Sequence, residues 1–460
     1  MRISLRALAS GLSADLVVAG GTGGDEIGTL DGAVDGLSID SRSLRPGQLF
    51  AAVTGERDGH GFVGDAVAAG AGACLVERVD AEALGGTPAL VVDSVSDALA
   101  ALARLARDRI EATAAGRVVG VTGSVGKTTT KDLLASVLQQ RYLTAASERS
   151  FNNELGVPLT LCNAPDDVEA VVVEMGARGD GHIRTLCDLA RPSVAVVTLV
   201  AAVHSEFMGG LDRIAATKGE LVESLPAGGV AVLNTDDERV SAMAARAPGR
   251  VVRFSASGDR AADVWAEGVS VDADLRASFE LCTSGDRTSV LLGVRGEHNV
   301  ANALAAAAVA LTLEVDLAAI ATGLADPQRS PWRMELDRTD TGVVVLNDAY
   351  NANPTSMVAA LRALASLEAG RRVAVLGYMA ELGGDEADEH RRVASVAAEL
   401  GVELVAVGTE LYGVQPVPDV DAAVAAVAGL APGDAVLVKA SRSAGLERVA
   451  AALTGSGRAG

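Results

Sequence analysis

In GVTGSVGKTTTKD (120–132), glycines at 123 and 126 frame Ser124 and Val125 and are followed by Lys127, Thr128 and Thr129. Glycines so placed let backbone N–H groups close around phosphate oxygens, and a helix starting there adds its positive N-terminal potential. Lys127 could then reach the β- and γ-phosphates of a nucleoside triphosphate, and the Thr128 hydroxyl could bind Mg²⁺. A strict phosphate loop has glycine where Val121 stands, so this loop is a variant. Such a loop needs an acid on the metal side, and Glu174 stands directly after the apolar run of VVVEMGARGD. His204 follows another apolar run, and Lys218 lies on the helix pattern after it. Taken alone, a histidine at a strand end is more often structural, and a helix lysine is more often solvated. Asn152 and Asn153 precede a Gly-Val-Pro turn, where a helix cap with a proline stop is the simplest explanation.

These groups need elements to hold them. Continuous β-branched runs at 117–123, 169–175, 193–200 and 229–234 predict central parallel strands covered on both faces, and 127–140 predicts the helix after the loop. Residues 263–296 alternate in short stretches and predict an antiparallel excursion, closed by an alanine-rich helix over 298–313. The segment 325–334, with two prolines, reads as a linker. Strand and helix patterns restart beyond it and predict a second doubly wound sheet. The expected fold is α/β in three domains. They are an N-terminal α/β domain over 1–113, a central phosphate-loop domain with a parallel sheet over 114–327, and a Rossmann-like C-terminal domain over 328–460.

Composition narrows the partners. The formal charge of −21 offers no basic face for nucleic acid, so an anionic ligand must be held by glycine turns, helix starts and single cations. Hydrophobic content of 49% with only 3% aromatic suits valine strands and alanine helices. The four cysteines, Cys74, Cys162, Cys187 and Cys282, have no metal or disulfide spacing and point to a reducing compartment. Asp15 interrupts the apolar N-terminal run, which reads as a short surface helix rather than a signal peptide. The longest apolar run, 194–203, is half a membrane span. A soluble cytoplasmic protein is expected.

TGSVGKTTTKD, SFNNELGVPLTL, EMGARGDGHI, ATKGEL, GEHNVANALAA, NDAYNANPTSM and SRSAGLERV, in that order over nearly the whole chain, resemble the Mur ligases of peptidoglycan synthesis. The early SIDSRSLRPGQLFAAVTGERDGHGF resembles the uridine-nucleotide domain of that family. The resemblance implies ATP-dependent addition of D-alanyl-D-alanine to UDP-MurNAc-tripeptide through an acyl phosphate, by a monomer using Mg²⁺, two ions being expected. It implies that Gly123 to Thr129 bind the ATP phosphates and that Thr128, Glu174 and His204 hold metal. Lys218 matches the lysine that takes up CO₂ as a carbamate, which would ligate Mg²⁺ where an ammonium would repel it. His298, Asn299 and Asn302 match the adenine-side helix start; Arg333 and Asp348 match groups brought to ribose and phosphate on domain closure. Tyr350, Asn351, Asn353, Ser356, Lys439, Ser441 and Arg442 would face the dipeptide and acyl group, with Arg442 suited to the dipeptide carboxylate. Asn152 and Asn153 would orient the nucleotide-linked peptide, and Ser41 and Arg42 its uridine diphosphate.

The chain departs from the family pattern at Leu199, Ala201, Val203 and Ser205 around His204, at Tyr378 where Asp is usual, and at Ala440 before Ser441. Two alternatives stay open at this point. One is another ligase of the family that adds a single amino acid. The other is a non-catalytic phosphate-loop ATP sensor, which would need neither Lys218 nor the Asp-Ala-Tyr-Asn run.

Overall fold

Each continuous apolar run forms a strand somewhat shorter than the run itself. In the computed structural model, which describes residues 1–18, 32–201 and 210–455, the phosphate-loop strand is Val118–Thr122 and is buried along its length. The chain divides into two compact units: Met1–Gly120, Tyr142–Gly176 and Arg184–Ser193 form one, and Val121–Arg141, Ala177–Ile183 and Val194–Gly460 the other.

The first unit holds a five-stranded sheet with the order Asp15–Val18, Pro88–Val91, Ala73–Val76, Leu49–Ala51, Leu37–Ser38. The first of these is antiparallel to its neighbour and the others pair in parallel. The expected N-terminal helix is Leu5–Leu12, with Leu5 and Leu8 buried. A second parallel pair, Ala170–Glu174 with Thr144–Ala146, carries Glu174 at its end. Helix Gly156–Cys162, every residue buried, belongs to the same unit.

In the second unit the strands Val194–Val197, Val230–Asn234, Arg250–Ser255 and Val264–Val271 pair in parallel. Arg276–Thr283 and Arg287–Arg295 then add antiparallel, so the excursion expected over 263–296 is present. The alanine-rich helix is Asn299–Thr312, with Ala303 through Ala310 buried. Small side chains let it lie close to the phosphate-loop helix Lys127–Leu138. The helix Leu317–Ala325 also packs on it closely: a Cβ on Gly323 would sit 2.5 Å from Val137 Cα, so only glycine fits.

Beyond the linker stands a five-stranded sheet ordered Glu335–Arg338, Val344–Asn347, Ala435–Lys439, Arg372–Leu376, Glu403–Ala406. Only the first strand is antiparallel. Successive side chains of Ala435–Lys439 alternate: Leu437 enters the core on one face, Val436 and Val438 the core on the other. Helices cover both faces, as a doubly wound sheet requires. Three adjacent parallel strands end at Asn347, Lys439 and Leu376, and open α/β sheets bind ligands outside such carboxyl ends.

Candidate active site

The loop after Val118–Thr122 is built for close approach. Gly123 has φ 146° and Gly126 φ 89°, and a Cβ on either would collide with Thr198 Oγ1 or Asn302 Oδ1 respectively. The segment just beyond the strand Val194–Val197 fixes the loop from outside. Ser124 N–H donates to Leu199 O at 2.8 Å, and the Ser124 hydroxyl bonds both the N–H and the carbonyl of Ala201 at 2.9 Å. The Thr198 hydroxyl donates to Val125 O at 2.6 Å. Lys127 opens the helix and its ammonium reaches back over the loop to Gly123 O at 2.9 Å and Ser124 O at 3.3 Å. Thr128 is buried and Thr129 half-buried on the same first turn. Asn299 and Asn302, buried on the alanine-rich helix, complete the surround: Thr130 donates to Asn302 Oδ1 at 3.2 Å, and Asn302 donates to Asn299 Oδ1 at 2.7 Å.

Lys218 lies on helix Leu211–Glu223, only 1% exposed. Among the described residues its ammonium makes no hydrogen bond or ion pair. Burial pushes its pKa well below the ordinary lysine value, and the Lys127 charge adds to the effect. The turn of the ARGDGHI motif anchors the helix that carries it. Asp180 accepts from Arg213 at 2.9 Å and from the Thr217 hydroxyl at 3.0 Å, and Gly181 N–H donates to Glu220 Oε1 at 2.7 Å.

In the first unit Glu174 is 1% exposed, with its backbone N–H on Ser147 Oγ at 3.1 Å and its carboxylate accepting Asn152 Nδ2 at 2.8 Å. Asn153 has a local duty: its side-chain oxygen accepts the N–H groups of Leu155 and Gly156 at 3.2 and 2.9 Å. The two adjacent amides thus divide, Asn152 facing the acid and Asn153 holding the helix entry. Arg42 is splayed at the surface in a two-point pair with Asp40, at 2.9 and 2.7 Å, beside the half-exposed Ser41.

The linker lies along one face of the phosphate-loop helix. Thr128, Asp132 and Ser136 are spaced four apart and so share a face. Ser136 Oγ accepts Gln328 N–H at 3.0 Å, Asp132 Oδ2 accepts Ser330 N–H at 2.8 Å, and Arg333 Nη2 donates to Thr128 Oγ1 at 2.9 Å. Trp332 and Met334 take φ of 58° and 51°, a conformation costing roughly 1–2 kcal/mol in a non-glycine residue. Partners on the C-terminal sheet impose it: Tyr350 N–H donates to Trp332 O at 3.2 Å and Met334 N–H to Asp348 Oδ1 at 3.1 Å. Arg333 stacks over Tyr350 at 4.3 Å, and Arg442 over Trp332 at 4.4 Å. Lys439, buried, donates to Asp348 Oδ2 at 2.5 Å and Asn351 O at 2.8 Å. Asp348 and Lys439 also lie within electrostatic reach of His298 at the start of the alanine-rich helix.

The Mur ligase middle domain matches residues 121–310, the Mur ligase glutamate ligase domain residues 332–442, and the Mur ligase family catalytic domain residues 33–108. The UDP-N-acetylmuramoyl-tripeptide–D-alanyl-D-alanine ligase of Mycobacterium tuberculosis (strain CDC 1551 / Oshkosh) is 42% identical over 91% of both chains. The chain belongs to the Mur ligase family. A crystal structure of MurF from Acinetobacter baumannii superposes with a TM-score of 0.84 at 30% identity, covering 99% of each chain. That of MurF ligase from Thermotoga maritima in complex with ADP superposes with a TM-score of 0.74 at 29% identity, over 92% of this chain and 97% of that one. The chain therefore has the N-terminal, central and C-terminal α/β domains of a Mur ligase.

As a Mur ligase, the chain fits its nucleotide and metal by its own chemistry. Glycine at 123 and 126 lets the loop wind tightly against Thr198 and Asn302, and the Thr128 hydroxyl on the first helical turn is a hard oxygen donor of the kind Mg²⁺ prefers; in the first unit, the buried Glu174 carboxylate is another. His204 lies outside the described residues.

At the C-terminal sheet of this Mur ligase, two expected contacts are already engaged. Arg442, expected on the dipeptide carboxylate, pairs with Glu447 at 2.7 Å while stacked on Trp332. Asn353 and Ser356, expected to face the dipeptide, form a capping box at the start of helix Pro354–Ser366: Ser356 N–H donates to Asn353 Oδ1 at 2.9 Å and Asn353 N–H to Ser356 Oγ at 3.2 Å. Asn351 beside them is exposed. Asn353→Ala should therefore lower stability by about 1 kcal/mol, read as a lower calorimetric Tm, while Asn353→Asp, an equally good cap, should keep the parent Tm. Thr198 and Trp332 also shape the site but stand in no motif of their own, and the motifs that hold Asp132 and Asp180 do not show what these two bind; their partners, distant in sequence, reveal it.

Proposed function

We propose that the chain is the ATP-dependent ligase that joins D-alanyl-D-alanine to UDP-N-acetylmuramoyl-tripeptide, giving UDP-MurNAc-pentapeptide, ADP and phosphate. The observation that carries this reading is 42% identity, across 91% of both chains, to a relative named for that activity. The division at 1–113, 114–327 and 328–460, the cytoplasm as compartment and a monomeric state belong to the same proposal.

The chemistry explains the site. A peptide carboxylate is a poor electrophile, so its oxygen takes the γ-phosphoryl group of ATP and becomes an acyl phosphate. The dipeptide amine attacks the acyl carbon, a tetrahedral intermediate forms, the amine loses a proton, and phosphate leaves as the amide forms. Little covalent work falls to the protein, which positions the reactants and neutralises charge. Gly123, Ser124, Val125, Gly126 and Thr129 present the loop and first turn to the phosphates, and Lys127 supports the charge on the transferred group. Asn299, Asn302 and His298 border the adenine side; Arg333 and Asp348 serve phosphate and ribose. Mg²⁺, with Thr128, Glu174, His204 and a carbamate on Lys218 as ligands, would screen the phosphate charges when bound. Asn152 and Asn153 orient the acceptor peptide, and Ser41 and Arg42 its uridine diphosphate. Tyr350, Asn351, Lys439, Ser441 and Arg442 face the dipeptide, with Asn353 and Ser356 setting the loop that carries Asn351.

The test is phosphate release with UDP-MurNAc-tripeptide and MgATP. D-alanyl-D-alanine should drive release and yield the pentapeptide by mass spectrometry, whereas diaminopimelate, lysine or glutamate should yield little or none. Addition of a single amino acid to UDP-MurNAc-dipeptide would move the chain to a neighbouring ligase of the family. Absence of any amine-dependent release would leave an ATP sensor.

A further inference from the structure

The strand Arg372–Leu376 runs out into Gly377, Tyr378, Met379 and Ala380, a short loop fastened to the segment that carries Lys439 and Ser441. Gly377 N–H donates to Lys439 O and Ser441 N–H to Tyr378 O, both at 3.0 Å, and Ala380 N–H donates to Ser441 Oγ at 2.9 Å. The two backbones are in close contact: a Cβ on Gly377 would lie 2.7 Å from Ala440 Cβ and 3.1 Å from Leu446 Cδ1. The position of Ser441 is thus tied to that of the loop.

The loop is held from its other side by His390, on helix Glu386–Glu399 and 0% exposed. Nδ1 lies 2.7 Å from Glu386 O, a pure acceptor, so Nδ1 carries the proton and donates. The lone pair of Nε2 then accepts Met379 N–H at 3.0 Å. Met379 is itself fully buried, so without this acceptor its amide would be an orphaned donor. Tyr412 meets the imidazole edge-on at 4.8 Å and donates its hydroxyl to Gly377 O at 2.8 Å. Tyr378 stacks on the imidazole at 5.5 Å, with its hydroxyl on Glu386. Burial holds the His390 pKa below its ordinary value, which favours the neutral, accepting form. No step of the ligase chemistry uses this histidine.

We infer that His390, seconded by Tyr412, is a positioning residue for the amine substrate: it fixes the loop 377–380 and through it the placing of Ser441 and Lys439. The inference rests on the reading of those two residues as facing the dipeptide. The glycine loop and first helical turn at 123–129 take no part in the contacts of the loop 377–380, and ATP feels the change only through the Lys439–Asp348 pair, so the effect should fall mainly on the amine.

The experiment compares KM for D-alanyl-D-alanine, ATP and UDP-MurNAc-tripeptide in the parent, His390→Leu, His390→Gln and Tyr412→Phe, with circular dichroism to verify folding. His390→Leu should raise the dipeptide KM by about tenfold, the cost of an orphaned buried amide, and leave the other two within about twofold. His390→Gln, whose amide oxygen can accept Met379 N–H, should restore most of the loss. Tyr412→Phe should raise the dipeptide KM by about threefold. If His390→Leu does not fold, Tyr412→Phe decides alone. Folded variants in which all three KM values move together, or the dipeptide KM stays still, overturn the inference. A parent enzyme that ignores the dipeptide but accepts another amine counts against the proposed substrate instead, and the same comparison is then read on the accepted amine.

Discussion

Lys127→Ala is expected to lower turnover by roughly 10²–10³-fold while leaving the fold intact. The ammonium arches over the loop to Gly123 O and Ser124 O, the place from which a cation meets a phosphoryl group entering the cradle. Its charge counts most when negative charge spreads over the transferred phosphoryl oxygens, so the loss should appear in kcat more than in KM for ATP. The loop should outlast the change, because Ser124 and Val125 are held from outside by Leu199, Ala201 and Thr198. Steady-state kinetics on protein with an unchanged Tm check this. Near-parent turnover in folded Lys127→Ala would remove the loop from the reaction.

Both doubly wound patterns were legible in the sequence because parallel strands covered on two faces must be apolar at every position. The run at 229–234, for example, became the strand Val230–Asn234. The phosphate loop was legible for the same kind of reason: its glycines, lysine and threonine act within one turn. What escaped the sequence is what depends on distant partners. The four-residue spacing of Thr128, Asp132 and Ser136 is visible, yet nothing marks 328–333 as the segment that meets it. The left-handed Trp332 has no local signature, since no turn residue sets its φ; contacts from Tyr350 and Arg442 do. The Asn353–Ser356 pair has a second duty that its motif hides. Its polar groups look available for a ligand, but the three-residue spacing before an apolar run is also that of a helix cap, and the backbone claims them.

Lys218→Ala should be inactive, and short-chain carboxylates added in solution should restore part of the turnover. An ammonium that is 1% exposed, beside Lys127 and without a partner among the described residues, is costly as a bare cation. Burial and the Lys127 charge drive it toward the neutral amine, the form that attacks CO₂. On carbamylation the amine would gain the carboxyl group and release a proton, and the product would carry an anionic oxygen pair that attracts both Lys127 and a hard cation. Because a proton is released, carbamylation should deepen as pH rises and reverse as it falls. Enzyme prepared in CO₂-free buffer should regain activity on adding bicarbonate, and regain less of it in acid buffer, where the amine, though its pKa is lowered by burial and the Lys127 charge, is more protonated. Independently of activity, ¹³C-bicarbonate should give a carbamate resonance in the parent protein that Lys218→Ala lacks. A fully active Lys218→Ala, or a parent protein with no such resonance at high bicarbonate, would leave the lysine as a buried neutral amine and return its place near the phosphates to packing alone.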